Sequence, residues 1–309
     1  MAGMFPPQQR NVWNENPNDP IGSRIAKLWN PIGISTVEEG RSWKTNPDAP
    51  CPVADKIVKD FNMTNKDLND FFMKNKDFRE RVEKYSRQTI HSWKFYGYLY
   101  DNIFAEMEYF GKYFKWPKWL DDVGKNTLEK LKEFNDLNFA IFSQAPEELF
   151  RLRTGALMKE MVENMKEAAK TVSTPWPSKR KLFSYTSHDV MVGYLMNMFG
   201  AFKGTSVASL DFHQKTNRQS LNFSEQPSYG SGLLLELRRN FHTQEPMVHL
   251  FYANVTNNNE IYRLKLNEIS RFKERCTDSR GACSLESFAA SLANITNVDP
   301  EEDCFKMEK

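Results

Sequence analysis

The chain has 309 residues, of which 40% are hydrophobic and 27% are charged, and its 42 basic and 40 acidic residues leave a net charge of +2. This composition is typical of a globular protein with a substantial core, and the balanced charge argues against a nucleic-acid binder that neutralises phosphates. No apolar run approaches the roughly 18 residues that a membrane-spanning helix needs, so no transmembrane segment is predicted in this chain.

The first half of the chain divides into a polar segment and a helical segment. Residues 1–50 are rich in proline and asparagine and contain one strand candidate, Ile32–Val37. From Pro52 to about Phe142 the hydrophobic residues recur at helical spacing, as in the stripe Leu128, Leu131, Phe134, Leu137 and Ile141. We interpret residues 52–142 as a helical cap inserted into an α/β core that comprises residues 1–51 and 143–309.

Two helices and a strand are predicted in the middle of the chain. The first helix begins near Pro146, because proline is favoured in the first helical turn, and runs toward Arg153. Gly155 separates it from a second helix, whose methionine-rich face is typical of a core. After a break at Pro175–Pro177, the apolar run Lys181–Thr186 predicts a strand.

The tripeptide Ser187-His188-Asp189 follows this predicted strand and precedes another predicted helix. That helix is indicated by apolar residues at helical spacing, with Gly200 as its end: Met191, Tyr194, Leu195, Met198 and Phe199. Ligands of open α/β sheets bind outside the carboxyl ends of the strands, and helix N-termini favour anionic groups. His188 and Asp189 at such a corner can hold a phosphate and deliver a proton, although the local pattern also fits a surface turn with a helix N-cap.

The last third of the chain predicts a hairpin. Ser231–Arg238 and Met247–Val255 are two long strand candidates, joined by a turn around Thr243–Pro246. Helices and strands followed by a hairpin favour a mostly parallel sheet with an antiparallel edge.

The cysteine pattern favours disulfides over a metal site. The chain has four cysteines, with no Cys-x-x-Cys pair and no histidine near them in sequence: Cys51, Cys276, Cys283 and Cys304. A zinc site is therefore not predicted. The short loop from Cys276 to Cys283 is the most natural pair, which leaves Cys51 to join Cys304. Free buried thiols are the alternative.

Different features of the sequence predict different cellular compartments. Four glycosylation sequons fit a secreted protein, with acceptors at Asn62, Asn222, Asn254 and Asn294, and disulfides need an oxidising compartment. The N-terminus, however, lacks the charged segment and apolar stretch of a secretory signal.

Five segments, in order over nearly the whole chain, resemble those of the histidine acid phosphatase family, the branch with prostatic and lysosomal acid phosphatases. Phe5–Pro7 resembles the family's segment after its first long helix, and Trp29–Val37 resembles its Pro-Ile-Pro-Val-His-Thr-Val strand. Arg151–Leu157 resembles Arg-Leu-x-Gly-Gly-x-Leu with Thr154 in place of one glycine. Tyr185–Asp189 resembles the Tyr-Ser-Ala-His-Asp signature, and Cys283–Phe288 resembles Cys-Pro-Leu-Glu-Arg-Phe.

The resemblance implies a fold and an activity. The fold would be phosphoglycerate-mutase-like, with a mostly parallel sheet flanked by helices and an inserted helical cap. The activity would be hydrolysis of phosphomonoesters at acid pH through a phosphohistidine, without a metal or other cofactor. His188 would bind the phosphate, and Asp189 would be the general acid that protonates the leaving alcohol. The resemblance also implies the pairs Cys51–Cys304 and Cys276–Cys283, and it allows a homodimer.

The family's nucleophile motif is absent from this sequence. The nucleophilic histidine of the family lies in Arg-His-Gly-x-Arg-x-Pro, and none of the five histidines follows an arginine and precedes a glycine: His91, His188, His213, His242 and His249. We therefore expect an N-terminally truncated chain that lacks the catalytic strand, the signal peptide and turnover of its own. The complete form is expected to be secreted or lysosomal.

Two other functions remain open from the sequence. One is a non-catalytic, secreted protein that binds anions or a partner through the remaining pocket, which is a pseudophosphatase. The other is a mutase or phytase on the same architecture, although those relatives generally lack this arrangement of C-terminal cysteines.

Overall fold

The computed structural model describes residues 37–90, 92–170, 181–200, 227, 230–254 and 260–306. The chain divides into two units, Met1–Glu39 and Gly40–Lys309. The described α-helices and β-strands all lie in the second unit. The strand candidate Ile32–Val37 lies outside the described residues except for Val37, which is in neither a helix nor a strand.

Six helices occupy the segment that the sequence assigns to a cap. They are α1 (Pro52–Thr64), α2 (Lys66–Lys74), α3 (Lys76–Ser86), α4 (Lys94–Phe110), α5 (Lys118–Val123) and α6 (Thr127–Ala140). The helical stripe of α6 is confirmed, since Leu131, Phe134 and Leu137 are all fully buried. Asn65 separates α1 from α2 and caps α2 by accepting a hydrogen bond from the Leu68 backbone.

The remaining described α-helices and β-strands lie in the second half of the chain. They are α7 (Glu147–Lys170), α8 (Asp189–Phe199), β1 (Gly232–Arg239), β2 (Pro246–Asn254), β3 (Glu260–Leu264), β4 (Cys283–Ser284), α9 (Leu285–Ser291), α10 (Ala293–Thr296) and α11 (Pro300–Asp303). The predicted helix after His188 is confirmed as α8, and it ends at Gly200, whose φ of +83° is favourable for glycine. In the part of the chain that the structure describes, no helix is long and apolar enough to span a bilayer.

The described strands pair in an antiparallel sheet with the order β1-β2-β3, and β4 also pairs with β2. The predicted hairpin is confirmed: β1 and β2 are in register with Leu235 opposite Leu250 and Arg238 opposite Met247. β3 continues the sheet with Leu264 opposite Leu250. All pairs among the described strands are antiparallel, so the mostly parallel sheet that the sequence predicts is not seen among the described residues.

Two prominent clusters of buried residues lie in the described structure. The larger cluster joins α7, α8, the inner face of the sheet and α9, and its members include Leu157, Met191, Leu250, Phe272 and Phe288. The other lies within the helical segment, where the ring of Phe134 packs 4.8 Å from that of Tyr96 and 5.0 Å from that of Phe71. The helical segment thus has an aromatic core of its own.

The prediction that Gly155 separates two helices is wrong, because α7 runs without a break from Glu147 to Lys170. Gly155 serves close packing instead: a Cβ atom there would lie 2.4 Å from the carbonyl oxygen of Ile295. The neighbouring Thr154 is fully buried, and its hydroxyl donates to the carbonyl of Phe150 at 2.7 Å. That bond satisfies the polar group that replaces one glycine of the family pattern.

The predicted strand Lys181–Thr186 is also wrong in the described structure, where residues 181–188 are neither helical nor in a strand. A strand requires a ladder of backbone hydrogen bonds with a neighbour. None of the described strands pairs with this segment, and Leu182 is 65% exposed. Local apolar composition alone therefore does not predict the conformation of this segment in the described structure.

Candidate active site

The candidate site is the corner at the N-terminus of α8. His188 is the N-cap residue, with an extended backbone (φ −101°, ψ 158°) and an exposed side chain. Asp189 is the first residue of α8 and is half-buried, and its Oδ1 accepts a hydrogen bond from the backbone N–H of Val190 at 2.8 Å. The imidazole is therefore open to a ligand at a helix N-terminus, where the helix dipole favours negative charge.

The burial of α8 fixes this corner in place. Every residue from Gly193 to Phe199 is buried. The ring of Tyr194 lies between Phe142 and Phe150, with ring centroids 5.2 and 6.4 Å away. Burial raises the pKa of Tyr194 to about 12. A helix this deeply packed presents its first residues on a rigid support, and a phosphate site needs that support.

A loop at Ser42–Pro50 lies next to the corner. It closes on itself through the indole N–H of Trp43, which donates to the carbonyl of Pro50 at 3.0 Å. The hydroxyl of Ser187 donates to the carbonyl of Thr45, so the residue before His188 is bonded directly to this loop. We call residues 42–50 the corner loop.

The buried Arg153 of α7 anchors the end of the corner loop. Its Nη1 donates to the carbonyl of Ala49 at 2.7 Å, and its Nη2 donates to Asp55 of α1 at 2.5 Å. The side chain is 9% exposed, and a guanidinium in such a position needs these acceptors. Asp48 of the corner loop interacts with Lys94 at the start of α4; burial lowers the pKa of Lys94, and the charge of Asp48 partly offsets that effect.

A hydrogen-bonded cluster on α7 holds the segment that leads to His188. The hydroxyl of Tyr185 donates to Glu160 Oε1 at 2.8 Å, and Asn164 Nδ2 donates to the Tyr185 hydroxyl at 3.2 Å. Lys44 of the corner loop forms an ion pair with the other carboxylate oxygen of Glu160. Sequence reasoning missed Glu160 and Lys44, because no periodicity connects residues 44, 160 and 185.

The protonation states of this cluster are set by its contacts. Burial raises the pKa of Tyr185 to about 12, and its hydrogen bond with Glu160 adds to the increase. Burial also acts to raise the pKa of Glu160, but the hydrogen bonds from Lys44 and Tyr185 outweigh it and lower that pKa. The cluster therefore pairs a carboxylate with an ammonium and a neutral phenol.

Two other described histidines lie away from α8 in the chain. His242 is exposed in the turn between β1 and β2. On β2, His249 Nδ1 lies 2.6 Å from Arg263 Nη2, and burial together with the positive charges of Arg263 and Arg238 lowers the pKa of His249. Of the histidines that the structure describes, His188 is the one at a helix N-terminus.

The structure contains both disulfides that the spacing indicates. Cys51 is bonded to Cys304, and Cys276 is bonded to Cys283. Among the sequon acceptors, Asn294 is exposed in α10 and Asn62 is half-buried in α1. Asn254 is the last residue of β2, and Asn222 lies outside the described residues. No group of three or more potential metal ligands occurs among the residues that the structure describes.

The comparison with protein families decides the assignment. The model of the histidine phosphatase superfamily (branch 2) matches residues 1–253, which include α8 and the His188–Asp189 corner. The chain belongs to the histidine phosphatase superfamily. The coarse fold expectation, a histidine phosphatase fold that combines helices with a sheet, is thereby confirmed.

Individual relatives of this histidine phosphatase are acid phosphatases. The chain is 26% identical to the prostatic acid phosphatase of Homo sapiens over 312 residues, which cover 98% of the chain and 66% of that protein. It is 26% identical to the prostatic acid phosphatase of Rattus norvegicus over 309 residues, with the same coverage. The Bos taurus protein is 25% identical over 313 residues, which cover 98% of the chain and 65% of that protein. The chain spans just under two thirds of the length of these curated relatives.

Proposed function

We propose that this histidine phosphatase has an acid phosphatase site whose His188 binds the phosphate of a phosphomonoester and whose Asp189 protonates the leaving alcohol. One observation carries the proposal: His188 is exposed at the N-terminus of the buried helix α8, within the region that matches the family. A ring N–H donor and the helix dipole both favour an anion there. The role of general acid is carried over to Asp189, the next residue, from the family signature.

The sequence contains no recognisable nucleophile motif for this chemistry. The phosphohistidine mechanism needs an imidazole nucleophile and arginines that neutralise the transferring phosphoryl group. The sequence has no Arg-His-Gly motif. We therefore propose that these residues alone bind phosphate but do not turn over a phosphomonoester. The chemistry requires no metal or cofactor.

Further parts of the proposal concern domains, location and assembly. The aromatic cluster around Phe134 supports the proposal that residues 52–142 form a helical cap. Residues 1–51 and 143–309 would then form the phosphatase core. The two disulfides and the exposed sequon at Asn294 support a secreted or lysosomal protein. We also propose a mostly parallel sheet and a homodimer, on the basis of the family alone.

The second candidate function is a non-catalytic protein that binds anions through the same corner. The observation that favours it is the same absence of an Arg-His-Gly motif, together with the open imidazole of His188. Both candidates predict that these residues bind phosphate without turnover.

Titration of the chain with inorganic phosphate at pH 5 by isothermal calorimetry tests the phosphate site. We expect saturable binding that is weakened about tenfold or more in His188→Ala, because the variant loses a charge-assisted hydrogen bond. His242→Ala is the matched control, since His242 is an exposed histidine in a turn, and it should bind phosphate like the wild type. Equal affinity of wild type and His188→Ala would refute the assignment of His188.

A further inference from the structure

Three segments that are distant in sequence meet at the carboxylate of Glu160. Its Oε1 accepts from the hydroxyl of Tyr185, two residues before Ser187, and its Oε2 pairs with Lys44 of the corner loop. Glu160 itself is on α7, which is packed against α8 in the larger core. One side chain thus connects the scaffold to both segments that border His188.

A second bond joins the same two segments without Glu160. The Ser187 hydroxyl donates to the carbonyl of Thr45, next to Lys44 in the corner loop. Two links therefore join the corner loop to the segment before His188. Thr45 is bonded directly to Ser187, and Lys44 is connected through Glu160 to Tyr185. Glu160 links this arrangement to α7, together with Asn164, which donates to Tyr185, and Arg153, which donates to the Ala49 carbonyl of the corner loop.

These side-chain bonds are the contacts that hold the segment before His188 in the described structure. Within the described part of the chain, residues 181–187 form no backbone hydrogen bonds with another segment. A strand in a sheet is positioned by its neighbours, whereas this segment is held by Tyr185 and Ser187. The charged carboxylate makes the bonds to Glu160 stronger than neutral ones.

We infer that Glu160 is a positioning residue for the phosphate site, which fixes the corner loop and the Tyr185–Ser187 segment so that His188 faces the ligand. The inference rests on the proposed function and deepens it, since it assigns a role to a residue outside the signature. Glu160 does not touch the reacting atoms. It acts through Tyr185 and Lys44.

The test compares Glu160→Gln with Glu163→Gln, which removes an exposed carboxylate one turn away on the same helix. Three quantities are measured: the dissociation constant for inorganic phosphate at pH 5, the thermal midpoint, and the NMR resonances of the His188 ring without ligand. We expect Glu160→Gln to weaken phosphate binding about fivefold, because the orientation of His188 that binds phosphate becomes less populated, and to shift the His188 resonances. Glu163→Gln should change neither.

Ser187→Ala is a second variant that breaks the arrangement without altering α7. It should also shift the His188 resonances and weaken phosphate binding, with little change in thermal midpoint. The inference is overturned if Glu160→Gln or Ser187→Ala lowers the thermal midpoint while phosphate affinity and the His188 resonances stay at wild-type values. If the wild type binds no phosphate, the proposed function fails, and the ring resonances alone then decide whether Glu160 positions His188.

Discussion

Replacing both Cys51 and Cys304 with alanine is expected to lower the free energy of unfolding by about 5 kcal/mol, since this disulfide closes a loop with a sequence separation of 253 residues. Both cysteines are almost fully buried in the larger core, and the Val53 backbone N–H donates to the carbonyl of Cys304. The bridge thus attaches the start of α1 to the C-terminal segment. Without it, the unfolded chain gains conformational freedom while the native contacts remain.

The Cys276→Ala/Cys283→Ala variant is the control for this prediction. Its disulfide spans a sequence separation of only 7 residues, and the same chain-entropy relation gives about 2.5 kcal/mol. Thermal unfolding of the two double variants and the wild type measures both effects. The long-range variant should have the lower midpoint, by on the order of 5 °C relative to the short-range variant. The reverse order would contradict the argument from loop closure.

The second large effect is expected for Gly155→Ala. Alanine is the better helix former by about 1 kcal/mol, so helix propensity alone predicts stabilisation. In the folded protein, however, the added Cβ would lie 2.4 Å from the carbonyl oxygen of Ile295 and 2.8 Å from Val298 Cγ1. The first of these is a backbone atom, so α7 and α10 must move apart. We expect a net loss of about 2 kcal/mol.

Gly232→Ala is the control for this substitution, because no atom lies within 4 Å of the Cβ that it would introduce. Its free energy of unfolding should stay within about 0.5 kcal/mol of the wild type. Chemical denaturation of the three proteins measures both changes. If Gly155→Ala were more stable than the wild type, the close approach of α7 and α10 would be disproved.

Elements with strong local periodicity could be predicted from the sequence. The stripe of α6, the buried face of α8 and the hairpin of β1 and β2 each repeat hydrophobic residues at the spacing of their own secondary structure. The glycine at position 200 also fits its role, since it ends α8 with a positive φ. In these cases tertiary packing and local preference agree.

The two wrong predictions depend on contacts between distant residues. Gly155 looked like a helix end, but its small size serves the packing of α7 against Ile295. Lys181–Thr186 looked like a strand, but a strand needs a paired neighbour that no local pattern reveals.

The site residues also fall into two groups: some are indicated by local sequence, and others are brought together only by tertiary contacts. His188 and Asp189 could be singled out because they stand together in a signature before a periodic helix. Glu160 and Lys44 could not, since they meet Tyr185 only after α7 and the corner loop have packed.

The most direct test of the proposed site is a phosphatase assay of the purified chain at pH 5 with an aryl phosphate, comparing the wild type with Asp189→Asn. We predict that the chain binds phosphate at His188 but releases none from the aryl phosphate, so that both proteins show only the background rate. Turnover by the wild type that disappears in Asp189→Asn would contradict it, because these 309 residues would then hold a complete catalytic site.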